Sequence, residues 1–212
     1  MPRFLVVLDV DSTLIEDEVI ELLADAAGSR DAVAAVTERA MAGELDFAAS
    51  LHERVATLEG LPLTVVDAVV DRVRLSTGAR DLVAGVHAAY GLVACVSGGF
   101  HEVLDPVAAD LGLDRWRANR LGVAGGHLTG RVEGAVVDAA TKAECLHAWA
   151  EEASVPLERT VAVGDGANDL LMLAAARLGV AFDAKPVLRA AADVVLDRRD
   201  LSQVLPLLGL RG

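Results

Sequence analysis

The feature that most constrains this chain is its opening, the apolar run Phe4-Leu5-Val6-Val7-Leu8 closed by two acids two residues apart, Asp9 and Asp11. An apolar run of this length without alternation suits a strand covered on both faces of a parallel sheet, and such a sheet needs helices on either side. The acids then fall at the carboxyl end of the strand, where open α/β sheets bind their ligands. Two carboxylates so close together repel, so a cation or a shared proton is expected between them. By itself the stretch equally suits a strand and turn in which Asp11, Ser12 or Thr13 caps the next helix. The rest of the chain decides.

After Asp11 the pattern turns helical. Glu16 to Ala27 reads as a helix stopped by Gly28, Arg30 to Ala42 as a second ended by Gly43, and Phe47 to Leu58 as a third, with Asp46 as its N-cap and Gly60 beyond it. Leu61-Pro62-Leu63-Thr64 opens a fourth, Val65 to Leu75. About sixty residues is long for a single crossover, so these helices are expected to form a small bundle inserted as a cap. From Thr77 the α/β rhythm returns: helix Ala79 to Tyr90, strand Leu92 to Val96, the turn Ser97-Gly98-Gly99-Phe100 and helix His101 to Leu111. A hairpin around Gly125-Gly126 is expected within 119–137, then helix Thr141 to Glu151 and strand Thr160 to Val163. Gly164 to Asp169 leads into helix Leu170 to Arg177, and strands Leu178 to Phe182 and Val194 to Leu196 close the sheet. The expected fold is α/β: a doubly wound, Rossmann-like parallel sheet formed by 1–13 and 77–212, with a four-helix cap at 14–76.

Three of these strands end in polar tips: Asp9 and Asp11, Ser97-Gly98, and Asp165, Asn168 and Asp169. A parallel sheet brings all three to one edge. Carboxylates gathered there, with glycines and no thiolate or imidazole beside them, favour a hard, oxygen-seeking cation, most simply Mg²⁺. Ser97-Gly98-Gly99, read as the start of a helix, offers amides and a hydroxyl suited to phosphate. Lys142 stands in the first turn of a helix, an electrostatically poor place for a cation, so an anionic partner is expected beside it. A cation, an anion seat, a lysine and an unprotected carboxylate together suggest phosphoryl transfer through an acyl phosphate, with a second acid moving the proton.

The net charge of −13 and the isoelectric point of about 4.7 argue against nucleic acid and anionic membranes as partners. Mean hydropathy is +0.42, yet no apolar stretch reaches the roughly 18 residues of a membrane span. Met1-Pro2-Arg3 runs straight into the first strand, which leaves no room for a signal peptide and suggests a cytoplasmic protein. Cys95 and Cys145 lack metal-like spacing and suit a reducing compartment. The histidines form no ligand pair and read as surface or packing residues.

The motifs DVDSTL (9–14), SGGF (97–100), Lys142 and GDGANDL (164–170) resemble the four motifs of the haloacid dehalogenase superfamily, over nearly the whole chain. The cap stretch MAGELDFAASLHERV (41–55) is similar to that of its phosphoserine phosphatase subgroup. The resemblance implies a Mg²⁺-dependent phosphatase acting on a small phosphomonoester, phosphoserine, through an aspartyl-phosphate. It implies Asp9 as nucleophile and metal ligand, Asp11 as general acid/base lending the metal its main-chain carbonyl, and Asp165 as third ligand, with Asp169 behind them. Ser97, Gly98, Lys142 and Asn168 would hold phosphate. Glu18 would take the substrate ammonium, Arg54 its carboxylate, and Phe47 would close over it. The cap-to-core return, Arg74-Leu75-Ser76-Thr77-Gly78-Ala79, lacks the proline frequent in that subgroup, and no preceding segment suggests the regulatory domains of some members. Two other readings fit parts of the pattern: a phosphotransferase of the same subgroup passing phosphoryl to another alcohol such as homoserine, and a receiver-like phospho-acceptor module, although the latter has neither a helical insert nor a DxD pair. The oligomeric state is not legible.

Overall fold

The computed structural model describes residues 2–41 and 44–210. In chain order the elements are β1 (Leu5–Leu8), α1 (Val19–Ala27), α2 (Arg30–Met41), α3 (Phe47–Ala56), α4 (Leu63–Val70), α5 (Ala79–Ala88), β2 (Leu92–Phe100), α6 (His101–Leu111), β3 (Arg115–Ala124), β4 (His127–Glu133), α7 (Ala139–Glu152), β5 (Thr160–Gly164), α8 (Leu170–Ala175), β6 (Leu178–Phe182), α9 (Pro186–Arg189), β7 (Val194–Leu196) and α10 (Val204–Leu207). One seven-stranded sheet runs β4-β3-β2-β1-β5-β6-β7, parallel throughout except that β4 is antiparallel to β3.

β1 lies in the middle, and its side chains serve both faces. Val6 and Leu8 enter the core shared with α5, α6 and α10, while Leu5 and Val7 enter the core shared with α7, α8 and α9. All four are buried, which is why the run reads as continuously apolar. β5 and β6 repeat the division, Val161 and Val180 facing one core and Ala162 and Ala181 the other. Among the described residues no helix is long and apolar enough to cross a membrane.

Four helices, α1 to α4, are inserted between β1 and α5. Two of their expected ends are corrected. α1 begins at Val19 rather than Glu16, and α4 ends at Val70 rather than Leu75. Both departures have one cause: the outgoing and returning chains pair with each other. Ile15 bridges Leu75, the Glu16 amide donates to the Arg74 carbonyl (2.8 Å), and the Ser76 amide donates to the Leu14 carbonyl (2.9 Å). Arg74 fastens the ribbon by donating from its amide and guanidinium to the Asp17 carboxylate (2.9 and 2.7 Å). The expected end of the second helix, Ala42 and Gly43, lies outside the described residues.

The hairpin begins earlier than expected, because β3 starts at Arg115 and joins the main sheet beside β2. Its Gly125 and Gly126 both hold positive φ, +58° and +78°, as a two-residue turn of this hand requires. The hairpin tip meets the inserted helices through main-chain bonds: Gly60 amide to Leu128 carbonyl (2.9 Å), Leu128 amide to Leu61 carbonyl (2.9 Å) and Leu63 amide to Gly126 carbonyl (3.0 Å).

Candidate active site

Asp9 directly follows β1, and its amide continues the sheet by donating to the Val163 carbonyl (2.9 Å). The residue is 3% exposed, and its carboxylate is bound by the Lys142 ammonium. α7 delivers that lysine. Asp138 caps the helix by accepting from the Thr141 amide (2.8 Å), and Lys142 projects from the first turn. The ammonium also donates to Asp169 Oδ1 (2.7 Å). The other oxygen of Asp169 accepts from the amides of Asp165 and Gly166, both at 3.1 Å. Asp169 thus lashes the turn after β5 to the lysine. Gly164 has to lack a side chain here, because a Cβ would collide with that carboxylate.

Asp9, Asp165 and Asp169 bring one carboxylate oxygen each within 4.8 Å of one another. Asp169, expected only behind the ligands, therefore borders the same space. Asp11 faces elsewhere: Oδ1 accepts from the Val19 amide (2.7 Å), capping α1, and Oδ2 from the Ser97 hydroxyl (2.9 Å). Its side chain thus caps the next helix, one of the two roles the opening stretch allowed. Ser97 in turn accepts from the Gly99 amide (2.7 Å). β2 continues to Phe100, so Ser97-Gly98-Gly99 close a strand rather than begin a helix, a correction to that reading, while α6 starts at His101 as expected.

Above this floor stand groups from the inserted helices. The Ser12 hydroxyl donates to Glu18 Oε1 (2.8 Å), and the Arg54 guanidinium donates to the Ser50 carbonyl (3.2 Å). The Phe47 ring covers Gly98, where an added Cβ would approach it to 3.0 Å. Asn168 lines the same cavity of about 300 Å³, as do Asp9, Asp11, Glu18, Phe47, Arg54, Gly98 and Asp165. Two residues near the site went unforeseen. Asn119, buried in β3, donates to the Gly98 carbonyl and accepts from the Val137 amide, both at 2.8 Å. Lys185 sets its ammonium 3.7 Å from Asp165 at the exposed rim. A polar residue inside an otherwise strand-like run was the available signal for Asn119; Lys185 had none beyond the scarcity of lysine.

Residues 6–174 match the model of the haloacid dehalogenase-like hydrolases. The chain belongs to that family. It is 56% identical over 206 residues to the phosphoserine phosphatase of Streptomyces coelicolor, covering 97% of this chain and 50% of that protein. It is 50% identical over 201 residues to the phosphoserine phosphatase of Lactococcus lactis, covering 95% and 93%. The chain thus spans about half of one relative and nearly all of the other. Among solved structures, a phospho-aspartyl intermediate analogue of phosphoserine phosphatase superposes with a TM-score of 0.91 at 40% identity, covering 98% of this chain and 100% of that one.

The electrostatics of this haloacid dehalogenase-like site follow from burial. Desolvation, reinforced by Asp169, pushes the Asp9 carboxyl well above the usual range, against the pull of Lys142. Desolvation and then Glu18 raise Asp11 to about 6. Desolvation also raises Asp165 to about 6, against the opposing charge of Lys185. Burial works against the Lys142 ammonium, yet Asp9 and Asp169 together outweigh it and hold that lysine above its ordinary value. The site therefore gathers more carboxylate than its ammonium neutralises.

Proposed function

We propose that this chain is a Mg²⁺-dependent phosphoserine phosphatase, hydrolysing O-phospho-L-serine to L-serine and phosphate through an aspartyl-phosphate on Asp9. The observation that carries the reading is one cavity with two kinds of wall. Its floor holds a buried carboxylate paired with a lysine, and its roof offers an acid, Glu18, and a cation, Arg54, of opposite sign. Phosphoserine has a phosphate for the floor and an ammonium and a carboxylate for the roof.

The donor set suits a hard divalent cation, since the three clustered groups are all carboxylates and exceed the positive charge beside them. Asp9, Asp165 and the Asp11 main-chain carbonyl would hold Mg²⁺, with Asp169 holding Lys142 and the Asp165 turn in place. When bound, the ion supplies positive charge against the phosphoryl oxygens. In the first step an Asp9 oxygen attacks phosphorus, and the serine oxygen leaves with a proton from Asp11. In the second, water attacks the phosphorus, Asp11 takes its proton back, and Asp9 and phosphate are released. A carboxyl near pKa 6 serves both directions at neutral pH. Lys142 steadies the Asp9 carboxylate, and Ser97, the Gly98 amide and Asn168 would bind the phosphoryl group. Residues 14–76 act as the cap over a core of 1–13 and 77–212, Phe47 sealing the ligand from water. A cytoplasmic site of action is supported by the two cysteines, both buried and unpaired.

The test is phosphate release across a panel of small phosphomonoesters with and without Mg²⁺, repeated with homoserine as acceptor. Phosphoserine should be preferred, chelation should abolish turnover, and the acceptor should leave phosphate release unchanged. Removing one partner of a desolvated charge pair costs roughly 2–4 kcal/mol, so Arg54→Ala should lower kcat/KM for phosphoserine by that amount while sparing an aryl phosphate. An unchanged ratio of the two substrates would remove amino-acid recognition by Arg54 from the proposal.

A further inference from the structure

Two non-glycine residues beside the site hold positive φ: Ser12 at +58°, in the turn after β1, and Asp183 at +43°, in the turn after β6. L-residues keep that conformation only where their surroundings enforce it. One side chain reaches both turns. Arg199, just beyond β7, donates from Nη2 to the Ser12 carbonyl (3.0 Å) and from Nη1 to Asp183 Oδ2 (3.3 Å). Its own main chain is pinned, for the Asp200 amide donates to the Arg198 carbonyl and the Leu201 amide to the Thr77 carbonyl, both at 2.8 Å. The guanidinium thus grips the chain where it leaves the core, from a base tied to where the chain returns.

Each gripped turn leads to a residue of the site. Ser12 directly follows Asp11, and its hydroxyl holds Glu18. Two residues beyond Asp183, the Lys185 amide donates to the Asp165 carbonyl (2.8 Å). Arg199 does not line the cavity, so it touches neither ligand nor reacting atoms. We infer that Arg199 is a positioning residue: by fixing the Ser12 carbonyl against the Asp183 turn, it sets the aim of Asp11 and the spacing between the Asp11 and Asp165 turns. This rests on the phosphatase reading above.

The test compares wild type, Arg199→Ala and Arg199→Lys on phosphoserine and on an aryl phosphate, with main-chain amide exchange followed across residues 10–15. Small misplacements of reacting groups cost rate steeply, so Arg199→Ala should lose about tenfold in kcat on both substrates, with KM held within about threefold. Exchange across 10–15 should quicken. Arg199→Lys should recover part of the rate, and millimolar guanidinium ion should raise kcat of the alanine variant but not of wild type. A merely structural role would lower the melting temperature and leave kcat of the folded protein and the guanidinium response flat. A kcat within about twofold of wild type, or unchanged exchange across 10–15, overturns the assignment. If Arg199→Ala does not fold, Arg199→Lys decides on the same two readouts. A wild type that spares phosphoserine but cleaves the aryl phosphate sinks the substrate reading alone, and Arg199 is then judged on the aryl phosphate.

Discussion

Asp9 and Asp11 stand two residues apart on one turn and live in different company. Asp9 is held by an ammonium and Asp11 by a hydroxyl and an amide. The ammonium holds the Asp9 carboxylate in place and opposes the desolvation that raises it, while the second arrangement leaves a carboxyl that can trade its proton near neutrality. Substituting each should separate the two steps. Asp9→Asn should give no covalent phosphoenzyme, scored as a mass shift after acid quenching. Asp11→Asn should keep the nucleophile yet lose about two to four decades of turnover, the usual range for a general acid/base. Covalent phosphorylation of Asp9→Asn on another aspartate would reverse the division of labour.

Elements bring these residues together, and one strand residue does so without touching the cavity's chemistry. The Asn119 amide spans β2 and the segment before α7, joining Gly98 to Val137. Its loss in Asn119→Ala would strand the buried Val137 amide, at about 1–3 kcal/mol, and the half-buried Gly98 carbonyl, at about 1 kcal/mol because water reaches it in part. Chemical denaturation should show a drop of about 2–4 kcal/mol, larger than a surface strand substitution gives; a change below about 0.5 kcal/mol would mean water replaces the side chain. The elements also differ in how far the chain announces them. β6, β7 and α6 stand where the sequence reading puts them, since apolar runs and glycine stops are local signals. Asp9, Asp11, Ser97, Lys142 and Asp165 were legible for the same reason, each sitting at the end of such a run or in a first helical turn. The starts of α1 and β3 and the end of α4 were not. Ile15 and Leu75 become strand-like only by pairing with each other, and Arg115-Trp116-Arg117 only by lying beside β2. Long-range pairing leaves no local mark, and Arg199, whose grip on Ser12 spans most of the chain, was illegible for that reason.

Across the whole molecule, acid outweighs base, and the site concentrates the imbalance. Asp165 holds a proton up to about pH 6 in the fold, whereas an unfolded aspartate releases it near 3.8. Between those values the folded state carries the extra proton, so the contribution of this group to stability declines as pH rises from about 4 to 6. A cation bound there displaces that proton, so Mg²⁺ should bind more tightly as pH climbs through the same window. The rise in melting temperature produced by millimolar Mg²⁺ should be larger at pH 7 than at pH 5, by scanning calorimetry; equal rises would put the ion elsewhere. The central place of β1 has a further consequence, one of timing. β1 leaves the ribosome before either of its neighbours in the sheet, and one edge waits for Leu92 and the other for Thr160. Contacts so distant in sequence form slowly and together, so a nascent chain carries its reactive acids unsheltered until synthesis has passed β5. Such an order leaves chaperones a short, apolar, acid-tipped segment to hold, and makes the site one of the later parts of this fold to form.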